Sequence, residues 1–272
     1  MPQPTPQGLT KCDPFLVRRG VRMAIWLLSS QGLDASTAHL QQGCTVLAHT
    51  HFLARQVEQR AAAAALPPRV VPLLRPFISP SVTALCRAQH HREIRGATRA
   101  ERQQRQLVLV DSDSASPTII EVLREACESA RGDAAPRCTV KHVNGLSRST
   151  VRELITRAIA VVDWCMVGAE RLPIEAVLCG ASLLTSHCLH GSSRNDLPIA
   201  PQLVLEQEAD LVAAVARLLA ESRLELSRPL AVEPLRRLYD AEIGPASLVR
   251  EARAVIRALN VAQPIPPYPP AW

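Results

Sequence analysis

Short apolar runs alternate with amphipathic helical patterns through the middle of the chain. Each run is apolar at successive positions, which is typical of a strand covered on both faces. The links between runs and helices are short, which favours parallel strands joined by crossover helices. The alternation therefore predicts an α/β fold with a doubly wound, Rossmann-like parallel sheet. The predicted strands are residues 107–110, 138–143, 159–162 and 181–184, and the predicted helices begin near Pro117, Thr150 and Pro173.

The loops that follow these strands are where we expect a ligand. In open parallel sheets, ligands bind beyond the carboxyl ends of the strands. Helix N-termini at that edge carry unpaired N–H groups and the positive end of the dipole, which suits a diphosphate. The loops are residues 111–116, 144–149, 163–173 and 185–191.

The third loop carries the most specific pattern. Gly168, Glu170 and Pro173 precede Glu175-Ala176, and a helix closed by Gly180 leads into a short strand that is followed by Thr185-Ser186. This order, in its strand–helix–strand frame, resembles the donor-sugar domain of GT-B glycosyltransferases of the retaining group 1, or family 4-like, type. The resemblance covers residues 106–220.

The resemblance implies a nucleotide-sugar site. It assigns Glu175 to the ribose hydroxyls and places Gly168, Ala169 and Glu170 along the donor site. Many members carry an earlier glutamate at a register that falls on Val167 here. The basic pair that often holds the diphosphate is also absent.

We expect other residues to take the place of that basic pair. Arg148 and Arg171 are the candidates, with Gly145 lining the same site. The implied reaction is glycosyl transfer to an unknown acceptor, with no cofactor and no obligatory divalent metal. Helix dipoles and arginines would stabilise the leaving diphosphate.

The chain around this domain is divided by its composition. Residues 1–21 and 263–272 are Pro-rich and expected to be extended or disordered. Residues 22–105 predict a partial acceptor-side α/β half followed by a basic linker, and residues 106–262 the nucleotide-sugar domain. The front half is short for a full acceptor domain, which predicts a shortened form.

Two histidines are candidates for a catalytic base. His49 and His51 follow a predicted strand in the front half and precede a helix. Histidine titrates close to neutral pH, which suits it to proton transfer. A structural role for either histidine stays open.

Asp111 and Asp113 support further interpretations. Two carboxylates one residue apart after a strand can hold a divalent cation. The same run resembles the first motif of haloacid-dehalogenase-like phosphatases, with Asp111 as nucleophile. An ordinary turn that caps a helix remains open as well. A non-catalytic binding or scaffold protein that keeps the GT-B fold is the remaining alternative.

Composition and charge restrict the partners. The net charge of +6 permits an anionic ligand. The basic stretch at 81–106 lacks interleaved aromatic residues, so we expect no nucleic-acid partner. No apolar stretch is long enough for a membrane span. The eight cysteines show no C-x-x-C pair, which predicts buried free thiols and a cytoplasmic protein.

Overall fold

The computed structural model divides into two compact units. One consists of residues 1–75 and 248–272, and the other of residues 76–247. The structure describes residues 12, 17, 22–28, 30–67, 70–75, 78–94, 107–111, 116–129, 138–166, 168, 171–188, 193, 195–222, 237–238 and 245–260. The Pro-rich tail predicted at 263–272 and most of the N-terminal segment predicted at 1–21 lie outside these residues.

The first unit is built on a two-stranded parallel sheet. Its elements are β1 (Ala24–Leu27), α1 (Leu33–Gln41), β2 (Thr45–Ala48), α2 (His51–Ala63) and most of α8 (Pro245–Asn260). Strand β1 pairs with β2 in parallel, and Leu73 forms a parallel bridge to Ala48. Thr50 caps α2, because its side chain accepts a hydrogen bond from the Leu53 N–H. The strand before His49 and the helix after it are confirmed, whereas the sequence left residues 23–28 open between strand and helix and did not predict α1.

The second unit contains a five-stranded sheet in which all pairings are parallel. Its elements are α3 (Pro80–Ile94), β3 (Leu107–Val110), α4 (Pro117–Ser129), β4 (Thr139–His142), α5 (Arg148–Arg157), β5 (Ala158–Val162), α6 (Arg171–Leu178), β6 (Ser182–Ser186), β7 (Val204–Leu205) and α7 (Asp210–Ser222). The strand order is β4-β3-β5-β6-β7. The predicted doubly wound parallel α/β class is confirmed.

Apolar strand residues form the core of the second unit. Every residue of β3 and of β5 is buried, as the continuous apolar runs predicted. Helix α3 covers the first part of the basic stretch at 81–106, and its Val82 and Cys86 are buried in the same core. This part of the basic stretch is therefore a packed helix.

The N-caps of α4 and α5 lie before the positions that the capping-box pattern indicates, although α4 begins at Pro117 as predicted. Ser116 caps α4 by accepting a hydrogen bond from the Ile119 N–H, and Ser147 caps α5 by accepting from the Thr150 N–H. In the sequence, Thr118 with Glu121 and Thr150 with Glu153 have capping-box spacing, which indicates caps at the two threonines. In the structure, the serine directly before each helix satisfies a free N–H group of the first turn instead.

The prediction of free thiols is wrong. The eight cysteines form four disulfides, Cys12–Cys44, Cys86–Cys179, Cys127–Cys138 and Cys165–Cys188. Their partners lie between 11 and 93 residues apart in sequence, so the fold and not a local motif brings them together. Disulfides are typical of proteins that fold in oxidising surroundings. A cytoplasmic location stays a prediction and loses this support.

Membrane insertion finds no support among the helices that the structure describes. None of them combines the length and the apolar character that crossing a bilayer requires.

Candidate functional site

Three buried polar side chains stand next to each other where the central strands of the second unit end. Val110 pairs with Val162, and Val162 pairs with Leu184. The next residue on each strand is Asp111, Asp163 and Thr185, respectively, and all three are buried. Residues at one register on parallel strands face the same side of a sheet. We call these three residues the polar row and this side of the sheet the carboxyl edge.

Backbone hydrogen bonds continue the sheet through the polar row. The Asp111 N–H donates to the Val162 carbonyl at 2.9 Å, and the Asp163 N–H donates to the Leu184 carbonyl at 3.0 Å. The strand pairing therefore fixes the backbone positions of the two aspartates. The Thr185 hydroxyl is buried and has no hydrogen-bond partner among the described residues. Asp113 lies outside the described residues.

Helix α6 carries the glutamate to which the resemblance assigned ribose binding. Glu175 lies in the second turn of α6, with its side chain 8% exposed. Arg171 begins the helix and donates from Nη2 to Glu175 Oε1 at 2.8 Å. The structure thus brings together two of the predicted donor-site residues as an ion pair four residues apart.

The Arg171 guanidinium has donor capacity beyond this pair. Its side chain is 34% exposed, and its buried Nε has no acceptor within the described part of the chain. A guanidinium carries five N–H donors in a planar fork, which suits an oxyanion such as a phosphate. The arrangement can hold a hydroxyl group on the carboxylate and an anion on the arginine.

The structure distributes the other predicted donor-site residues unevenly. Gly168 is buried in the loop between β5 and α6, whereas Ala169 and Glu170 lie outside the described residues. Gly145, with φ of 71°, and Arg148 are exposed and follow β4, the strand at the end of the sheet. Strand β3 stands between β4 and β5, so this loop is two strands away from the one that carries Gly168.

The two predicted catalytic histidines lie in the first unit and have different surroundings. His49 is buried, and its Nδ1 lies 3.3 Å from the Leu28 carbonyl. A carbonyl can only accept, so Nδ1 is the donor in this contact. The His49 ring also packs edge-on against Trp26, with 5.9 Å between ring centroids.

His51 is held by an arginine that the sequence analysis did not identify. Arg75 is buried and its Nη2 lies 2.5 Å from His51 Nε2. Arginine can only donate, so His51 Nε2 accepts this hydrogen bond. Glu251 of α8 accepts from the Arg75 backbone N–H at 2.8 Å. Arg75 and Glu251 are separated by 176 positions in sequence, which explains why no sequence pattern indicated this contact.

Metal binding has limited support among the described side chains. No group of three or more His, Cys, Asp or Glu residues stands together there as a metal site would require. Cys44, which could have joined His49 and His51 on a zinc ion, is bonded to Cys12. A reaction without a divalent metal stays a prediction.

Comparisons with known proteins identify the fold. No protein-family profile and no curated protein matches the chain. The solved structure of HepE from Anabaena in complex with UDP and glucose is similar, at 11% identity and a TM-score of 0.54, over 90% of this chain and 73% of HepE. At this identity the likeness establishes the fold alone, which is the GT-B fold that the resemblance implied.

Two further solved structures are similar at lower scores. Trehalose 6-phosphate synthase from Burkholderia multivorans has 15% identity and a TM-score of 0.48, over 93% of this chain and 71% of its own. AviGT4, a glycosyltransferase involved in avilamycin A biosynthesis, has 12% identity and a TM-score of 0.45, over 91% of this chain and 87% of its own.

Proposed function

We propose that this chain binds a nucleoside diphosphate sugar at the carboxyl edge of its five-stranded sheet and transfers the sugar to an acceptor. The observation that carries the proposal is the buried carboxylate of Glu175, paired with Arg171 at the start of α6. This carboxylate stands at the position of the resembling motif that contacts ribose. The fold is shared with HepE, which was solved with UDP and glucose.

The chemistry of the pair fits the two ends of a nucleotide. A carboxylate has about four acceptor positions, so the Arg171 bond leaves capacity for a pair of ribose hydroxyls. The remaining donors of Arg171 suit the diphosphate, and the α6 N-terminus adds favourable dipole charge. These groups would stabilise the charge that develops on the leaving diphosphate. We therefore assign the role of the missing basic pair to Arg171.

The polar row has a different role in this proposal. Asp111 and Asp163 bear carboxylates, which repel phosphate and accept hydrogen bonds from hydroxyl groups. We therefore assign the row to the sugar hydroxyls rather than to the diphosphate. Of the two histidines, we assign proton acceptance to His49, because Nε2 of His51 already accepts a hydrogen bond from Arg75.

Thermal unfolding with a panel of ligands tests nucleotide binding. The panel contains UDP, GDP, ADP and the matching glucose conjugates, with and without magnesium. A ligand at a hundred times its Kd stabilises the folded state by about 2.7 kcal/mol, which shifts Tm measurably. We expect one nucleotide series to raise Tm without magnesium and the shift to be lost in Glu175→Gln. Glu125→Gln, an exposed glutamate of α4, is the matched control and keeps the shift.

Other outcomes favour the alternatives. Nucleotide binding without any sugar transfer or hydrolysis would favour a non-catalytic GT-B-like binding protein. The phosphatase alternative rests on Asp111, which is buried at the carboxyl edge beside Asp163. Magnesium-dependent phosphate release from a generic phosphate ester, lost in Asp111→Asn, would favour that alternative and contradict the glycosyltransferase proposal.

A further inference from the structure

One disulfide joins two loops at the carboxyl edge. Cys165 lies in the turn that follows β5, and Cys188 lies in the bend that follows β6. Strands β5 and β6 are neighbours in the sheet, so the bond links the ends of adjacent strands. The crosslink is therefore on the side of the sheet where the polar row ends.

The same bond closes a ring around the candidate nucleotide site. Cys165 and Cys188 are 23 residues apart, and the segment between them contains Arg171, Glu175 and Thr185. At the far end of α6, Cys179 is bonded to Cys86 of α3. Helix α6 is therefore attached to its surroundings by covalent links before its first residue and after its last.

The four disulfides differ in their access to a reductant. Cys165 and Cys188 are both half-buried. In each of the other three disulfides at least one cysteine is buried, and in Cys12–Cys44 and Cys86–Cys179 both are. Thiol–disulfide exchange requires a thiolate to approach one sulfur along the bond, so access decides which bond reacts first. Cys165–Cys188 meets this condition best.

We propose that Cys165–Cys188 is a reducible disulfide and that its oxidised form holds the nucleotide-binding loops in order. A thiolate of a dithiol reductant attacks one sulfur, forming a mixed disulfide and releasing the other cysteine as a thiolate. The second thiol of the reductant then displaces the protein sulfur. The products are two cysteine thiols and the oxidised reductant, with two electrons and two protons transferred to the protein.

Reduction frees the loops that carry the site without removing any side chain from it. The sheet, the core and Cys86–Cys179 still restrain the described residues of the segment from 165 to 188. Nucleotide binding must then order the loops. The entropy lost in that ordering opposes binding, so the affinity for the nucleotide falls. This consequence rests on the proposed function, because it requires that a nucleotide binds at the carboxyl edge.

Graded reduction of the oxidised chain tests the reactivity. The chain is incubated with increasing dithiothreitol, trapped with iodoacetamide, and its alkylated cysteines are identified by peptide mass spectrometry. We expect Cys165 and Cys188 to be alkylated first, at about tenfold lower reductant than Cys86 and Cys179. Earlier alkylation of any other pair would overturn the proposal.

Two double-serine variants test the effect on the site. Cys165→Ser with Cys188→Ser removes the proposed bond, whereas Cys127→Ser with Cys138→Ser removes one that joins the end of α4 to the start of β4, at the opposite edge of the sheet. We expect the first variant to exchange hydrogen faster across residues 163–188 and its Kd for UDP to rise about tenfold. The control keeps the parental exchange in that segment and the parental Kd.

The two measurements separate this proposal from the proposed function. Unchanged hydrogen exchange in the Cys165→Ser, Cys188→Ser variant would overturn the ordering role of the disulfide. Failure of the oxidised parent chain to bind UDP or any other nucleotide would instead overturn the proposed function. In that case the alkylation order and the exchange rates still decide whether this disulfide is reducible and orders the loops.

Discussion

Arg171 and Glu175 form an ion pair across one turn of helix α6, with 2.8 Å between Nη2 and Oε1. The arginine side chain is 34% exposed and the glutamate side chain 8% exposed, so the two charges do not have equal access to water. Glu175 depends on its partner for compensation, whereas Arg171 can be solvated. The pair therefore stabilises a buried carboxylate at the edge of the sheet where we propose that the nucleotide binds.

Arg171→Ala is expected to destabilise the protein. Removal of the arginine leaves a buried carboxylate without its partner, which costs about 1–2 kcal/mol after allowance for the partial exposure of Arg171. Urea unfolding at neutral pH measures the change. Arg124→Ala, an exposed arginine on α4, is the matched control and is expected to change stability by less than about 0.5 kcal/mol. Equal effects of the two substitutions would show that the ion pair contributes nothing.

Ser116→Ala is expected to lower stability by about 1 kcal/mol, because its hydroxyl caps α4 by accepting from the Ile119 N–H. Thr118→Ala is the matched control, since Thr118 lies inside the helix with its side chain exposed. Urea unfolding of both variants distinguishes the two positions. A larger loss for Thr118→Ala than for Ser116→Ala would favour the cap that the sequence pattern placed at Thr118.

Ala65→Gly is expected to raise stability by about 1 kcal/mol. Ala65 follows α2 with φ of 54°, a left-handed conformation that costs a residue with a Cβ about 1–2 kcal/mol. Gly180 occupies the corresponding position after α6, with φ of 89°. The N–H groups of Gly180 and Ala181 bond the carbonyls of Val177 and Ala176, as in a Schellman motif.

Gly180→Ala is the reciprocal substitution and is expected to lower stability by about 1 kcal/mol. The two variants are compared by thermal and urea unfolding under the same conditions. Changes of the same sign at the two positions would contradict the left-handed conformation at one of them.

Glu251→Ala is expected to lower stability by about 2–3 kcal/mol. Its carboxylate accepts from the backbone N–H of Arg75 and lies 3.8 Å from the Arg75 Nε, and the arginine side chain is only 6% exposed. Removal of the carboxylate takes away the acceptor of the Arg75 N–H and a negative charge beside a buried guanidinium, and both losses are destabilising. Arg253→Ala, an exposed position on the same helix, is the control. Urea unfolding of both variants measures the loss.

Much of the second unit could be predicted from the sequence, because its strands and helices are encoded by short, contiguous residue patterns. Continuous apolar runs predicted β3 and β5, and apolar residues repeating every 3.6 positions predicted the helices between the strands. Residues of the candidate site were also readable, since Arg171 and Glu175 lie four residues apart on one helix. The N-caps were predicted at the wrong residues. Thr118 and Thr150 match a capping-box spacing, but Ser116 and Ser147 accept the capping hydrogen bonds.

Other features depend on contacts that no short pattern encodes. Arg75 is hydrogen-bonded to Glu251, 176 positions later in the chain, and Cys86 forms a disulfide with Cys179, 93 positions later. Strand β7 has two residues and is defined by its pairing with β6, because a run of that length carries no periodicity. The polar row is also a tertiary feature, since its register follows from strand pairing and not from spacing along the chain.

The central claim is that Glu175 binds a nucleotide at the carboxyl edge. Isothermal titration of UDP into the parent chain and into Glu175→Gln tests it most directly, because glutamine keeps the size of the side chain and an oxygen that can accept from Arg171. We expect a one-to-one complex with the parent chain and a Kd at least about tenfold higher for Glu175→Gln, with Glu125→Gln equal to the parent. Equal affinity of UDP for the parent chain and for a folded Glu175→Gln variant would contradict the claim.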